Sequence, residues 1–127
     1  MANRQILLVE DEPHIAEAIR FILTRAGWQV AIEPDGAAAL GRIRALRPHV
    51  VVLDLMLPGR SGLDILTDLR ADPVLAALPV LMLTARGQDR DRVAAQQAGA
   101  TAYLAKPFAN ADVLAVVEAI ATQAGAG

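Results

Sequence analysis

Five short apolar runs, each closed by polar residues, alternate with stretches of helical period, and that alternation fixes the fold class. The clearest run is Val50–Leu53, four consecutive apolar residues of which three are β-branched, which meets Asp54 and then turns at Pro58-Gly59. A strand apolar on both faces is covered on both faces, the habit of a parallel sheet. Ile6–Val9 is a similar run ended by Glu10-Asp11-Glu12, and Pro79–Leu83 ends in Thr84, while Trp28–Ile32 and Thr101–Leu104 are shorter strands. Pro13 suits a first helical turn, and Ile15, Ala18, Ile19, Ile22, Leu23 and Ala26 then share one face as far as Gly27. Pro34-Asp35-Gly36 opens a second helix with Leu40, Ile43 and Leu46 inward, and Ser61 caps a third through Leu63, Leu66 and Leu69 that ends near Pro73. A fourth helix is expected from about Gln88 to Ala98, with Val93 and Ala94 as its core positions. Asn110 caps a fifth through Leu114, Val117, Ile120 and Ala121.

A helix between each pair of strands requires right-handed crossovers and places helices on both faces of one parallel sheet. The expectation is an α/β doubly wound (βα)5 sandwich. The flavodoxin-like order 2-1-3-4-5 is one permitted arrangement, and its crevice lies between the ends of strands one and three.

Size and composition narrow the chemistry. The 127 residues suit one domain, taken as 1–122, with 123–127 a flexible tail or linker stub. The absence of cysteine excludes thiolate metal sites and thiol nucleophiles. No apolar stretch reaches membrane-spanning length and the first apolar run is too short for a signal-peptide core, so a cytoplasmic protein is expected. Arg42, Arg44 and Arg47 form the densest basic group; without interleaved aromatic residues they read as a solvated face, not a nucleic-acid surface. Of the twelve Lys and Arg residues only Lys106 is a lysine, a hint that this position needs a compact ammonium. Trp28 reads as core packing, and neither His14 nor His49 is assigned a metal.

In the 2-1-3-4-5 order, Asp54 faces Glu10 and Asp11, and crowded carboxylates repel unless something neutralises them. A hard divalent cation such as Mg²⁺ resolves the conflict with carboxylate and water oxygens. Thr84 adds a hydroxyl at the end of strand four, and Lys106 adds a positive charge after strand five. Acids, metal, hydroxyl and ammonium together suit a phosphoryl group, with a carboxylate available to attack phosphorus. Other phosphate chemistries fit poorly. There is neither a G-x-x-x-x-G-K nor a G-x-G-x-x-G run. A haloacid-dehalogenase-type phosphatase would want an acid where Met56 stands, and a flavodoxin would want a Ser/Thr-rich loop where Glu10-Asp11-Glu12 stand.

The pattern Glu10-Asp11, Asp54 followed by Pro58, Ser61-Gly62, Thr84-Ala85, and Tyr103 with Lys106-Pro107-Phe108 resembles the receiver domain of bacterial two-component response regulators, from Ile6 to about Ala121. The resemblance implies the order 2-1-3-4-5 and a phosphorylation switch, not a turnover enzyme. It implies that Asp54 accepts a phosphoryl group from the phosphohistidine of a histidine kinase or phosphotransfer protein. Mg²⁺ (or Mn²⁺) would be bound by Asp11, Glu10, Asp54 and the backbone carbonyl of Met56. Lys106, with a cis peptide to Pro107, and Thr84 would contact the phosphoryl group, beside which Ala85 is small. Thr84 and Tyr103 would switch the surface of the fourth helix, fifth strand and fifth helix toward a downstream protein or effector domain. Expected states are a monomer or a weak phosphorylation-dependent dimer; no nucleic-acid or membrane contact is assigned to this domain. The charge-paired dimer of the winged-helix subclass wants acids where Thr101 and Ala102 stand. The competing reading is an atypical receiver that docks proteins without phosphorylation.

Overall fold

The computed structural model describes residues 4–84 and 89–123. Five strands, β1 (Gln5–Val9), β2 (Gln29–Glu33), β3 (Val50–Asp54), β4 (Val80–Thr84) and β5 (Ala102–Ala105), alternate with five helices. The helices are α1 (Pro13–Arg25), α2 (Gly36–Leu46), α3 (Gly62–Ala71), α4 (Asp89–Ala98) and α5 (Asn110–Gln123). All neighbouring strands are parallel, in the order β2-β1-β3-β4-β5. The expected flavodoxin-like sandwich is the fold.

Period-2 alternation divides the core between the two faces of the sheet. Ile6, Leu8, Val50, Val52, Leu81 and Leu83 face α1 and α5, where Ile19, Leu23, Val113 and Val117 meet them. Leu7, Val9, Val51, Leu53, Val80 and Met82 face the other way, against Ala39 and Ile43 of α2, Ile65, Leu66 and Leu69 of α3, and Ala95 of α4. Each fully buried branched side chain contributes about 1.5–3 kcal/mol, so the central strand anchors the whole sandwich.

Caps set the helix starts. Glu12 caps α1 by accepting from His14 N–H at 2.9 Å, Asp35 caps α2 from Ala37 N–H at 2.9 Å, and Ser61 caps α3 from Asp64 N–H at 3.2 Å. Some boundaries differ from expectation. β2 begins at Gln29 because Trp28 lies in the preceding turn, where it is buried in the α1/α5 core. On α4 the buried residue is Ala95, whereas Val93 is 43% exposed and Ala94 half-buried. α5 includes Gln123, the first residue of the expected tail; 124–127 lie outside the described residues.

The register sets the ends of the strands level with one another. Val9 pairs with Leu53, Asp54 with Leu83, and Thr84 with Ala105. The residues that follow β1 and β5 therefore arrive beside the last residues of β3 and β4.

Candidate functional site

Asp54 ends β3 with only 3% of its surface exposed. Its two carboxylate oxygens have different partners: Oδ1 accepts from the Met56 N–H at 3.2 Å, and Oδ2 from Lys106 Nζ at 3.0 Å. Glu10, 1% exposed, follows β1, and its Oε2 accepts from the Glu12 N–H at 3.1 Å. Its Oε1 lies 3.4 Å from Lys106 Nζ as an ion pair, yet is buried without a hydrogen-bond partner among the described residues. Asp11 is exposed beside them, and carboxylate oxygens of Glu10, Asp11 and Asp54 gather within 4.8 Å of one another.

The electrostatics follow from this crowding. Burial, joined by the neighbouring Asp54 charge, pushes the Glu10 carboxyl up to about 7, against the opposing pull of the Glu12 N–H and Lys106. For Lys106, burial disfavours the charge, but the Asp54 and then the Glu10 carboxylates outweigh it and raise its pKa. Lys106 serves two of the three gathered carboxylates, Asp54 and Glu10.

The remaining expected residues are placed as follows. Lys106 leaves β5 with its N–H donating to the Thr84 carbonyl at 2.8 Å, and the Lys106–Pro107 peptide is cis. Thr84 is 2% exposed, and its hydroxyl donates to the Leu104 carbonyl at 3.4 Å. Met56 lies in the β3–α3 loop and is 70% exposed. Tyr103 sits inside β5, opposite Met82, half-buried against the α2/α3/α4 side of the core, and the Arg92 guanidinium lies 5.8 Å from its ring centre. Ala85 lies outside the described residues.

Two further residues shape the site. The Glu12 backbone orients Glu10 while its own carboxylate caps α1; the clue was Pro13, which marks Glu12 as the N-cap. Gly62 starts α3 so close to β3 that a Cβ there would stand 2.3 Å from the Asp54 carbonyl oxygen. Beside Lys106 lies a largely apolar cavity of about 450 Å³, lined by His14, Ile15, Ala18, Pro107, Phe108 and Asn110.

A hard divalent cation fits this donor set. Three carboxylates converge, one of them buried with an orphaned oxygen and a raised pKa, which is the imbalance that Mg²⁺ bound to oxygen ligands removes. Among the described residues no helix is long and apolar enough to cross a membrane.

Comparison with known proteins agrees with this geometry. The family model described as response regulator receiver domain matches residues 6–118. The DNA-binding response regulator MtrA of Mycolicibacterium smegmatis is 41% identical over 117 residues, covering 92% of this chain and 50% of that protein. The chain thus spans about half the length of the curated relatives it matches. Among solved structures, the receiver domain of the sensor histidine kinase PA1611 from Pseudomonas aeruginosa, with a magnesium ion coordinated in its active-site cleft, superposes with a TM-score of 0.86. That pair is 31% identical, covering 95% of this chain and 99% of that one. The BeF3-activated receiver domain of Klebsiella pneumoniae RstA gives a TM-score of 0.83 at 30% identity, covering 93% and 98%.

Proposed function

The chain belongs to the response regulator receiver domain family, and from that premise we propose that it is a phosphorylation switch with Asp54 as the acceptor. The family works in phosphorylation-based two-component signalling. The observation that carries the finer reading is the pairing of a nearly buried Asp54 with the chain's single lysine at 3.0 Å, inside a cluster that holds an unsatisfied carboxylate oxygen.

The Met56 N–H on Oδ1 and the Lys106 ammonium on Oδ2 fix the plane of the Asp54 carboxylate, so the nucleophile meets phosphorus already oriented. A carboxylate oxygen forms the new P–O bond as the P–N bond of a phosphohistidine breaks, and the bonding pair leaves with the imidazole. Lys106 is placed to transfer its charge from the carboxylate to the incoming phosphoryl oxygens. Mg²⁺ or Mn²⁺, held by Glu10, Asp11, Asp54 and the Met56 carbonyl, would supply the remaining neutralising charge. Thr84 leaves the Leu104 carbonyl for the phosphoryl group, and Tyr103 repacks behind it. The surface of α4, β5 and α5 then changes by reweighting two existing conformations. Hydrolysis of the acyl phosphate, assisted by the same residues, resets the switch, so the protein is not a turnover enzyme.

The donor in this reading is a histidine kinase or histidine phosphotransfer protein in the cytoplasm. The apolar cavity beside Lys106 offers a surface on which such a partner could rest. Because relatives such as MtrA are about twice as long, the output is assigned to a downstream protein or to an effector domain joined after α5. The linker would follow α5, and this domain would contact neither nucleic acid nor membrane. A monomer that dimerises weakly on phosphorylation completes the reading.

Intact mass after incubation with acetyl phosphate, with and without Mg²⁺, tests it. One Mg²⁺-dependent phosphoryl adduct is expected on wild type and none on Asp54→Asn. A wild type that neither binds Mg²⁺ nor takes a phosphoryl group from any donor would overturn the switch and leave the docking scaffold.

A further inference from the structure

We propose that the N-terminus of α2 positions the β3–α3 loop for metal binding, with Gly36 as the residue that makes this possible; the inference rests on Met56 serving as a backbone ligand. The loop, residues 55–61, carries the Met56 carbonyl but belongs to no regular element. Its two ends are tied down: Met56 N–H donates to Asp54 Oδ1 at 3.2 Å, and Gly62 N–H returns to the Leu55 carbonyl at 2.9 Å. Its tip is held from outside. The Gly36 N–H donates to the Pro58 carbonyl at 3.1 Å, and the Arg60 N–H bends back to the same oxygen at 2.9 Å.

This contact requires glycine. A Cβ on Gly36 would stand 2.2 Å from the Arg60 carbonyl oxygen and 2.9 Å from that of Pro58, both backbone atoms. From the other side Gly59, with φ of 80°, presents a face on which a Cβ would come 2.7 Å from Asp35 Oδ1. That oxygen is already occupied capping α2 through the Ala37 N–H. The support behind Gly36 is stiff: buried Glu33 accepts from the Asp35 N–H at 3.0 Å and from Arg42 at 3.1 Å, and Ala39 and Ile43 are fully buried. The end of β2 thus supports α2, and α2 supports the loop.

The consequence is specific to a carbonyl ligand. Carboxylates follow a cation by rotating their side chains, whereas a carbonyl moves only if its loop moves. An alanine at position 36 drives Pro58 and Arg60 away by roughly 1 Å before ordinary contact is restored. Gly36 is a positioning residue: it touches no reacting group and acts through the loop.

Mg²⁺ titration followed by ¹⁵N amide shifts, with thermal unfolding of the metal-free proteins, tests this on wild type, Gly36→Ala, Gly41→Ala and Ile43→Val. Gly41 lies on the same helix with open space around it, and Ile43 is buried two turns from the contact, so these two report helix substitution and simple destabilisation. Gly36→Ala is expected to bind Mg²⁺ about 10-fold more weakly or worse, the size of effect seen when a supporting shell is lost. Its metal-free amide shifts should concentrate in residues 54–62, while both controls keep wild-type affinity. Should Gly36→Ala fail to fold, Gly59→Ala presses the same contact from the loop side and is expected to weaken Mg²⁺ binding in the same direction. Wild-type affinity in the folded Gly36→Ala protein, or in Gly59→Ala where that is the variant measured, overturns the inference while leaving the switch intact. So does an affinity loss matched by Ile43→Val. A wild type that binds no Mg²⁺ overturns the metal reading itself, and the inference with it.

Discussion

Two glutamates at opposite ends of the sheet have opposite fates. Glu118 on α5 meets the amino ends of the strands, where it accepts two hydrogen bonds from Arg4, at 2.8 and 3.1 Å, and one from Trp28 Nε1 at 3.1 Å. Arg4 lies 4.1 Å over the Trp28 ring, and its hydrogen bonds hold the Glu118 carboxyl below the ordinary range. Glu10, at the carboxyl ends, has an orphaned oxygen and a pKa pushed up to about 7. One end is a closed polar network and the other is an open one. Arg70 reinforces the closed end, tying the Gly99, Ala76 and Leu78 carbonyls together at 2.8, 3.1 and 2.7 Å. Polar side chains at the amino ends pair with one another and with carbonyls, whereas at the carboxyl ends three carboxylates crowd together.

Asp54→Asn gives the largest contrast. Phosphoryl uptake should vanish by intact mass, while the Tm of the metal-free protein stays level or rises, because one of three crowded carboxylates has lost its charge. A Tm that falls by several degrees would mean that these carboxylates stabilise the fold, and the comparison would break. Next is Arg70→Ala, which leaves three carbonyls without their charged donor and should cost about 2–3 kcal/mol in urea unfolding. Mg²⁺ affinity should not change, since the lost contacts lie at the far end of the sheet.

The two ends also differ in how far the sequence discloses them. Asp54, Thr84 and Glu10-Asp11 each interrupt or follow an apolar strand run, and Lys106 is the only lysine, so the polar residues at the carboxyl ends stand out against their surroundings. Parallel pairing then brings every strand's end to the same edge, so fold and site are read together. The amino-end networks leave no such mark. Arg70 binds backbone carbonyls, which have no residue signature, and Glu118 reaches Arg4 across 114 positions. The core positions of α4, not the helix itself, were missed for a different reason: with few apolar residues its pattern could not distinguish Val93 and Ala94 from Ala95, and packing against the sheet chose Ala95. Gly36 looked like an ordinary helix opener because its role depends on a loop more than twenty residues away.

Glu10→Gln sharpens the comparison through pH. A folded pKa near 7, above the unfolded value of about 4.5, means that the neutral carboxyl is favoured on folding. Its contribution is full below pH 4.5 and is lost as pH rises through 7. Metal-free wild type should therefore lose about 2–3 kcal/mol relative to Glu10→Gln between pH 5 and 8. Saturating Mg²⁺ should restore much of the wild type's deficit and little of the variant's, since the ion binds the charged form. Parallel pH profiles for the two proteins would show that the open end is not open.

The smallest effect tests whether the closed end is built from particular networks or from charge pairs in general. Arg44 at the end of α2 reaches Asp72 at the end of α3 at 3.3 Å, and its side chain is 55% exposed. The Asp72 carboxyl is held low first by the Val74 N–H and only then by Arg44, so the turn keeps its main support without the arginine. Arg44→Ala should leave Tm unchanged within about 1 °C at physiological salt. A larger drop would place this exposed pair alongside Arg70 and Glu118, and the closed end would owe its stability to surface charge as much as to part-buried hydrogen bonds. An unchanged Tm would locate that stability where donors meet carbonyls and indole in partly dry surroundings, the arrangement that Glu10 lacks.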